Sequence, residues 1–460
     1  MNRIVIVGGG ISGLAAAHRV NELKPSAHVT LLEASGRLGG AIQTEHRDGF
    51  LLERGPDSFI SEKPHALALA KRLGIESQII QTNEEFRRSF IVRDGRLRPV
   101  PDGFQLMAPS RLWPFLTSDI FSLAGKARMA ADLFLPRKST NGTNDESLAS
   151  FVRRRLGEEA LARMAQPMVG GIYTADPETL SLRATLPRFL EMEQQHRSLI
   201  LAMLKQSRVQ KAGTSGARYS LFLSFDLGMQ VLVDAVTRIH ADIRLSSRVK
   251  TLELNGAQWR ITTDTEEQFQ ADAVCLAVPA YIAASLLAGT HERLAEKLRQ
   301  IKYASTATIN FGYRRAAIAH PLNGFGFVVP LIEKRSLIAC TFSSVKFSGR
   351  APDDRVLLRA FAGGALQPEI FALDEDEMAV RVEADLRQLL GISEEPLFVE
   401  VAKWERSMPQ YEVGHLDRVS EIEKLASELP GMGLAGNAYR GAGIPDCIRS
   451  GEAAAEQLMK

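Results

Sequence analysis

The chain has 460 residues, of which 45% are hydrophobic, and its 56 lysines and arginines nearly balance its 54 aspartates and glutamates. A chain of this length exceeds one compact core, so we expect two or three domains. The net charge of +2 gives no signal for polyanion binding, which argues against nucleic acid as a partner. The three cysteines are isolated, without metal-ligand spacing, and their small number suits a reducing compartment.

The first 33 residues predict a strand, a glycine-rich turn, a helix, a second strand and then an acid. Gly8, Gly10 and Gly13 have the spacing G-x-G-x-x-G, and Glu33 ends the second apolar run. The glycines allow a tight turn, a close approach to a pyrophosphate and close helix–strand packing. The helix N-terminus attracts phosphates, and Glu33 can accept both hydroxyls of an adenosine ribose. The pattern predicts a bound dinucleotide at 8–14, a segment that also contains Gly9, Ile11, Ser12 and Leu14.

The hairpin predicted at 90–100 is turned by Asp94 and Gly95. Five arginines lie in or beside it, namely Arg87, Arg88, Arg93, Arg96 and Arg98. Arginine is a natural partner for carboxylates, so the cluster is either a binding site for an acidic ligand or a solvated strand face.

A helix-rich insertion is expected from about Gly103 to Arg188, interrupted by a polar linker at 138–144. Its first part is unusually apolar and aromatic between Phe104 and Leu123. These side chains either line an internal cavity or pack against another helix, and an outward-facing membrane patch is the alternative.

The middle of the chain predicts strands at 242–245, 249–254, 259–263 and 273–278. We interpret the uncharged stretch 273–290 as a buried strand and then a helix that begins at Pro279, rather than as a membrane span. Further strands, expected at 306–313, 326–330, 336–342 and 355–362, could form one mixed sheet. The first strand is expected at Ile4, which would leave no room for a signal peptide.

The end of the chain predicts a short strand, a glycine-containing turn and a helix at 448–459. Pro445 suits the first turn of such a helix, because the N–H that proline lacks would be unpaired there.

The segment R-x-G-G at 37–40 and the segment 55–58 resemble those of the two-dinucleotide-binding-domain flavoproteins, the amine oxidase and porphyrinogen oxidase group. The resemblance implies non-covalent FAD, with Arg37 beside the pyrophosphate and the backbone of 55–58 beside the flavin ring. It also implies that the last helix points its N-terminus at flavin N1 and O2, where positive charge stabilises the reduced ring. The further implied FAD contacts are Ala34, Gly39, Gly40, Gly55, Pro56, Asp57, Ser58, Val249, Trp404, Gly436, Gly443 and Ile444.

The implied fold class is α/β, with a Rossmann-like FAD-binding domain, a mixed-sheet substrate domain and a helical insertion. Because the opening and closing motifs lie at opposite ends of the chain, the FAD-binding domain must be discontinuous. We expect its parts at 1–84, 226–298 and 415–460. The other expected segments are a substrate-domain hairpin at 85–102, the helical insertion at 103–190, a substrate-domain connection at 191–225 and the substrate domain at 299–414.

The segments 166–177, 404–411 and 443–451 resemble more closely the flavin-dependent protoporphyrinogen and coproporphyrinogen oxidases of haem synthesis. Such enzymes remove six electrons from a porphyrinogen in three hydride transfers to flavin N5, and O2 reoxidises the flavin with release of H2O2. The substrate contacts implied by this resemblance are Gly171, Ile172, Tyr173, Val328 and Phe347, with Arg87 or Arg88 for the carboxylates.

One departure concerns Ser89, which stands where oxygen-dependent eukaryotic relatives carry a propionate-binding arginine. This departure and the segment at 443–448 favour the bacterial branch, which often oxidises coproporphyrinogen III. We name no catalytic acid or base and no metal ligand.

Three alternatives stay open. An amine oxidase or a carotenoid-type desaturase would share the fold, and a flavin-binding scaffold would need no catalysis. For an enzyme, the expected partners are a porphyrinogen, O2 and other haem-pathway enzymes. We expect a cytoplasmic protein, with peripheral contact at the inner face of the cell membrane as a further hypothesis.

Overall fold

The computed structural model describes residues 2–138, 145–212 and 221–459. The predicted linker at 138–144 therefore lies, apart from Lys138, outside the described residues. The strands are β1 Arg3–Val7, β2 His28–Leu32, β3 Thr44–Arg47, β4 Phe50–Glu53, β5 Phe59–Ile60, β6 Ile79–Gln81, β7 Phe90–Arg93, β8 Arg96–Pro99, β9 Phe104–Gln105, β10 Ala108–Pro109, β11 Phe222–Phe225, β12 Asp242–Arg244, β13 Val249–Asn255, β14 Gln258–Thr263, β15 Gln268–Ala271, β16 Ala273–Leu276, β17 Tyr303–Arg314, β18 Gly326–Val328, β19 Ala339–Phe342, β20 Arg355–Gly363, β21 Phe398–Pro409 and β22 Met432–Leu434.

The helices are α1 Ile11–Leu23, α2 His65–Arg72, α3 Leu112–Thr117, α4 Leu123–Ala130, α5 Leu148–Arg155, α6 Glu158–Ala160, α7 Gln166–Tyr173, α8 Leu182–Thr185, α9 Pro187–His196, α10 Leu199–Ala212, α11 Gln230–Val236, α12 Ala280–Leu287, α13 Glu292–Arg299, α14 Ser343–Lys346, α15 Pro368–Ala372, α16 Glu375–Leu390, α17 His415–Ala426 and α18 Ile444–Leu458. None of the helices in the described parts of the chain has both the length and the apolar character needed to cross a membrane.

A five-stranded parallel sheet has the order β12-β2-β1-β16-β22 and draws its strands from both ends and the middle of the chain. Its central strands are buried on both faces, as parallel sheets covered by helices are. Helices α1 and α18 pack against each other closely, because a Cβ on Gly451 would lie 2.1 Å from the Ser12 carbonyl oxygen. The two ends of the chain thus meet in one domain.

A seven-stranded sheet has the order β21-β17-β20-β19-β18-β7-β8. It is mixed, because β18 and β7 pair in parallel while its other pairs are antiparallel. One face buries an apolar core against α16, to which Phe327 and Ile309 contribute. The predicted mixed sheet is confirmed, and the early hairpin β7–β8 forms its edge.

The helical region runs past its predicted end. The expected boundary at 190 falls inside α9, and α10 continues the helices to Ala212. The buried carboxylate of Asp132 joins these helices: it accepts hydrogen bonds from Arg155 Nε at 2.7 Å and Ser198 Oγ at 2.6 Å. The segment 191–225 is therefore more than a connection.

The aromatic stretch at 104–123 divides into two sets. Phe104, Phe115 and Phe121 form a cluster with ring centroids 5.8 to 6.4 Å apart. Trp113 and Leu123 are instead 76% and 84% exposed. The stretch therefore serves both as helix packing and as an outward-facing apolar surface.

Candidate active site

A cavity of about 430 Å³ opens at the carboxyl ends of β1 and β2, where parallel α/β sheets bind their ligands. It runs from the N-terminus of α1 to the N-terminus of α18 and to the segment 404–407. The predicted FAD residues that line it are Gly8, Gly10, Ile11, Ser12, Glu33, Ala34, Gly39, Gly40, Pro56, Val249, Trp404, Gly436 and Ile444. The structure thus brings together residues from six separate segments of the chain.

The glycine motif acts through close packing. A Cβ on Gly13 would lie 1.9 Å from the Gly8 carbonyl oxygen, and one on Gly8 would lie 2.4 Å from that of Ala277. Gly9 faces Leu38 and Glu33, and Leu14 is fully buried in the core. Of the residues predicted from this motif, Gly9, Gly13 and Leu14 do not line the cavity: they shape it from behind.

The carboxylate of Glu33 is held at one end of the cavity. Its Oε2 accepts a hydrogen bond from the Gly9 N–H at 2.7 Å, and its Oε1 accepts one from the Ser35 N–H at 2.7 Å. A carboxylate has about four lone-pair sites, so both oxygens retain acceptor capacity for a ribose. Val249 lies at the same end.

Arg37 does not line the cavity, and it is not a solvated loop cation either. Its guanidinium donates to the carbonyl oxygens of Leu38 at 3.2 Å, Ile42 at 3.1 Å and Gly40 at 2.5 Å. Burial lowers the pKa of Arg37 from its usual value. The side chain shapes the loop whose residues Gly39 and Gly40 line the cavity, and its place beside the pyrophosphate stays a prediction.

The segment 55–58 joins the two sheets. A Cβ on Gly55 would lie 1.6 Å from the Ala41 carbonyl oxygen, so glycine is required there. Asp57 Oδ2 lies 2.9 Å from Lys346 Nζ, which also lies 3.2 Å from Ser58 Oγ. Burial alone would raise the pKa of Asp57, but Lys346 and Arg359 outweigh it and hold that pKa well below the ordinary 3.8. Pro56 lines the cavity, whereas Gly55, Asp57 and Ser58 do not.

At the far end, α18 begins at Ile444 with Gly443 as its N-cap, four residues earlier than predicted, and Pro445 lies in its first turn. Ala442, Ile444 and Cys447 line the cavity there, while Gly443 does not. The N-terminus of a helix carries partial positive charge, which suits an electron-rich ligand.

The face of the seven-stranded sheet opposite its apolar core carries the candidate substrate wall. Val328, Ala339, Phe361 and Thr308 are successive register partners, so their side chains share one face. Thr308 Oγ1 donates to the Arg54 carbonyl oxygen at 2.5 Å, so this face is directed toward the segment 53–58. Val328 and Phe361 are partly exposed.

Helix α7 meets this row of side chains. A Cβ on Gly171 would lie 3.7 Å from Val328 Cγ1, and Ile172 is 52% exposed. Tyr173 lies with its ring centroid 6.4 Å from that of Tyr411, and its hydroxyl donates to the Thr185 carbonyl oxygen at 3.2 Å. Of the three predicted substrate residues on α7, Gly171 is the one that lies against Val328.

Other predicted substrate residues lie elsewhere. Phe347 is 1% exposed, with Lys346 Nζ 5.0 Å from its ring centroid, so it belongs to the packed interior. Arg87 is paired with Glu84 at 2.9 Å. Arg88 is exposed and adjoins the turn before β18, where the Phe325 N–H donates to its carbonyl oxygen at 2.8 Å.

Phe361 is a candidate wall residue that the sequence does not predict. The segment that contains Phe361 is predicted as a strand. That the Phe361 side chain shares a face with Val328 and Thr308 follows only from the pairing of β20 with β19 and β17. The alternation along β20 could have given the face, provided that the core-facing set was known.

The cavity suits an elongated dinucleotide. Glycines leave room for the ligand in the middle of the cavity, and Glu33 and the N-terminus of α18 lie at its opposite ends. Residues 11–459 match the family described as flavin containing amine oxidoreductase. The chain belongs to this family. It is an FAD-dependent oxidoreductase.

Relatives extend over nearly the whole chain. The coproporphyrinogen III oxidase of Bacillus subtilis (strain 168) is 36% identical over 99% of this chain and 97% of its own. The chloroplastic protoporphyrinogen oxidase of Nicotiana tabacum is 31% identical over 99% of this chain and 85% of its own. A solved structure from Exiguobacterium sp. 255-15, provisionally named a protoporphyrinogen oxidase, has a TM-score of 0.88 at 32% identity and covers 99% of this chain and 98% of its own.

Proposed function

We propose that the chain oxidises a porphyrinogen to the corresponding porphyrin in haem synthesis. The observation that carries this proposal is the full-length similarity to porphyrinogen oxidases, at 36% identity for the coproporphyrinogen III oxidase of Bacillus subtilis (strain 168). Six hydrogens leave the substrate in three rounds, and three O2 molecules become three H2O2. Bound FAD would supply the hydride acceptor for each round and the route by which the electrons reach O2.

The residues of the wall support a large flat substrate. Val328 and Phe361 present apolar surface on one face of the sheet, Gly171 lies against Val328, and the neighbouring Ile172 is exposed. A pocket for a flat macrocycle needs such apolar walls and a few cations that fix its carboxylates. We assign these four residues to macrocycle binding.

For the carboxylates, we propose Arg88 rather than Arg87. The guanidinium of Arg87 is paired with Glu84 at 2.9 Å, whereas within the described residues Arg88 has no ion pair. Arg88 also adjoins β18, the strand of Val328. Arg88→Gln should raise the KM for coproporphyrinogen III about tenfold, and Arg87→Gln should leave it within about twofold. Equal KM values for the two variants would reject this choice.

The decisive assay follows porphyrin fluorescence and peroxide when coproporphyrinogen III or protoporphyrinogen IX is added in air. We expect oxidation of both, with three peroxides per porphyrin. Turnover of amines without any porphyrin formation would favour the amine oxidase alternative instead. A yellow protein that oxidises neither class of substrate would be a flavin-binding scaffold.

We also propose that the protein is cytoplasmic and contacts the membrane surface. The outward-facing apolar set at 112–134 includes Trp113, Leu123 and Phe134, each more than 70% exposed. Lys126 lies beside Leu123. Trp113→Ser with Leu123→Ser should reduce sedimentation with anionic lipid vesicles, whereas Val380→Ser, at another exposed apolar residue, should not. Vesicle binding that is unchanged in the double variant would reject the contact.

A further inference from the structure

An ion pair lies at the N-terminus of α18, next to residues that line the cavity. Lys63 Nζ lies 2.5 Å from Asp446 Oδ2, although the two residues are 383 positions apart. The Asp446 side chain is 6% exposed and that of Lys63 is 46% exposed. Asp446 is the third residue of α18, and its neighbour Cys447 lines the FAD cavity.

The position of Asp446 has an electrostatic cost for the site. A carboxylate in the first turn of a helix opposes the partial positive charge of that helix end as seen from a nearby ligand. Burial and, after it, the negative charge of Asp446 raise the pKa of Tyr173 to about 12. Unless it is neutralised, this carboxylate would disfavour added negative charge on a ligand at the end of α18.

Two cations lie near the carboxylate. Lys63 is the closer one, at 2.5 Å, and Arg449 lies 3.4 Å from Oδ1 on the solvent side of the helix. Lys63 comes from the loop between β5 and α2, which packs against α18. Its ammonium is the charge that this loop adds at the cavity end.

The order of the residues along the cavity indicates which part of FAD would lie at this end. With the ribose at Glu33 and the phosphates at the N-terminus of α1, an elongated cofactor carries its ring to Ala442, Ile444 and Cys447. Two-electron reduction adds negative charge to this ring, so positive potential at the site raises its reduction potential.

We propose that Lys63 is a positioning residue of the FAD site: it neutralises Asp446 and thereby raises the reduction potential of the bound FAD. The inference rests on the placement of FAD in the cavity, not on the identity of the oxidised substrate. It assigns opposite effects to the two members of the pair, which a merely structural contact would not produce.

The test measures the reduction potential of bound FAD by equilibration with reference dyes. Lys63→Met should lower the ratio of reduced to oxidised FAD at a fixed potential about tenfold, which is about 30 mV for two electrons. Asp446→Asn should shift the potential in the opposite direction, and the double variant should lie near the wild type. Lys63→Arg should retain the wild-type potential.

A matched control removes a lysine from an ion pair far from the cavity. Lys297 lies 2.7 Å from Glu421 on the outer helices, and Lys297→Met should leave the potential unchanged. A wild-type potential in Lys63→Met, or shifts of the same sign in Lys63→Met and Asp446→Asn, would overturn the inference. If Asp446→Asn fails to hold FAD, Lys63→Met against Lys63→Arg decides alone. Shifted potentials without porphyrinogen oxidation would reject only the proposed function.

Discussion

The two sides of the site differ in how they are built. The FAD side consists of backbone turns at the ends of parallel strands, where Gly8, Gly13 and Gly55 allow contacts that no side chain would permit. The candidate substrate wall consists of residues on four strands and a helix, among them Val328 and Phe361. A site made of backbone constrains residue type and spacing, whereas a wall made of side chains constrains only shape. Variants that separate the two sides test this difference.

The largest effect is expected at Gly13. Gly13→Ala would place a Cβ 1.9 Å from a backbone oxygen, a clash that should cost about 3 kcal/mol or more and prevent FAD binding. Gly289→Ala is the control, because a Cβ there meets nothing within 4 Å. Visible flavin absorbance per protein measures the outcome. Wild-type FAD content in Gly13→Ala would contradict the account.

The next effect concerns the contact between the two sides. Asp57→Asn leaves Lys346 and the buried Arg359 without their partner and should lower the free energy of unfolding by about 3 kcal/mol. Because the folded pKa of Asp57 is depressed, its stabilisation is present above about pH 4 and is lost as the pH falls through the folded value. Urea unfolding at several pH values measures both effects.

The exposed Asp354 serves as the control for this variant, with Asp354→Asn expected to change stability by less than about 0.5 kcal/mol. Equal stability of Asp57→Asn and the wild type at neutral pH would show that the pair does not hold the sheets together.

A smaller effect is expected at Glu33, which anchors the ribose end. Glu33→Gln exchanges charged for neutral hydrogen bonds and should weaken FAD binding about 10- to 100-fold. Titration of the apoprotein with FAD gives the dissociation constant. The control is Glu266→Gln, at an exposed glutamate that pairs with Lys250, and its dissociation constant should match that of the wild type. An unchanged constant in Glu33→Gln would remove Glu33 from the site.

The smallest effects compare two phenylalanines. Phe361→Leu should raise the KM for coproporphyrinogen III about threefold to tenfold without a change in stability. Phe347→Leu should instead lower stability by about 1 kcal/mol and leave KM unchanged, because Phe347 is buried in the interior. The opposite pattern would restore Phe347 as the wall residue and remove Phe361.

The same difference explains what could be predicted from the sequence. The sequence spacing of Gly8, Gly10 and Glu33 predicts a dinucleotide site, because a strand-turn-helix unit fixes their geometry locally. The mixed sheet is predicted separately, from alternating apolar residues. Phe361 was missed because its direction depends on strands distant in sequence. Arg37 is predicted to lie beside the pyrophosphate. The structure shows that its guanidinium donates hydrogen bonds to carbonyl oxygens of its own loop, and the local sequence does not predict these bonds. The predicted start of α18 is four residues too late, because its N-cap residue, Gly443, has no side chain that could indicate a helix start.

The most direct measurement mixes the FAD-loaded protein with excess coproporphyrinogen III in the absence of oxygen and follows the visible absorbance. The account predicts that the flavin bands bleach as porphyrin absorbance grows, and that air restores the bands. If the absorbance bands of oxidised FAD persist with excess coproporphyrinogen III and with excess protoporphyrinogen IX, the proposed oxidation of porphyrinogens by the bound flavin is wrong.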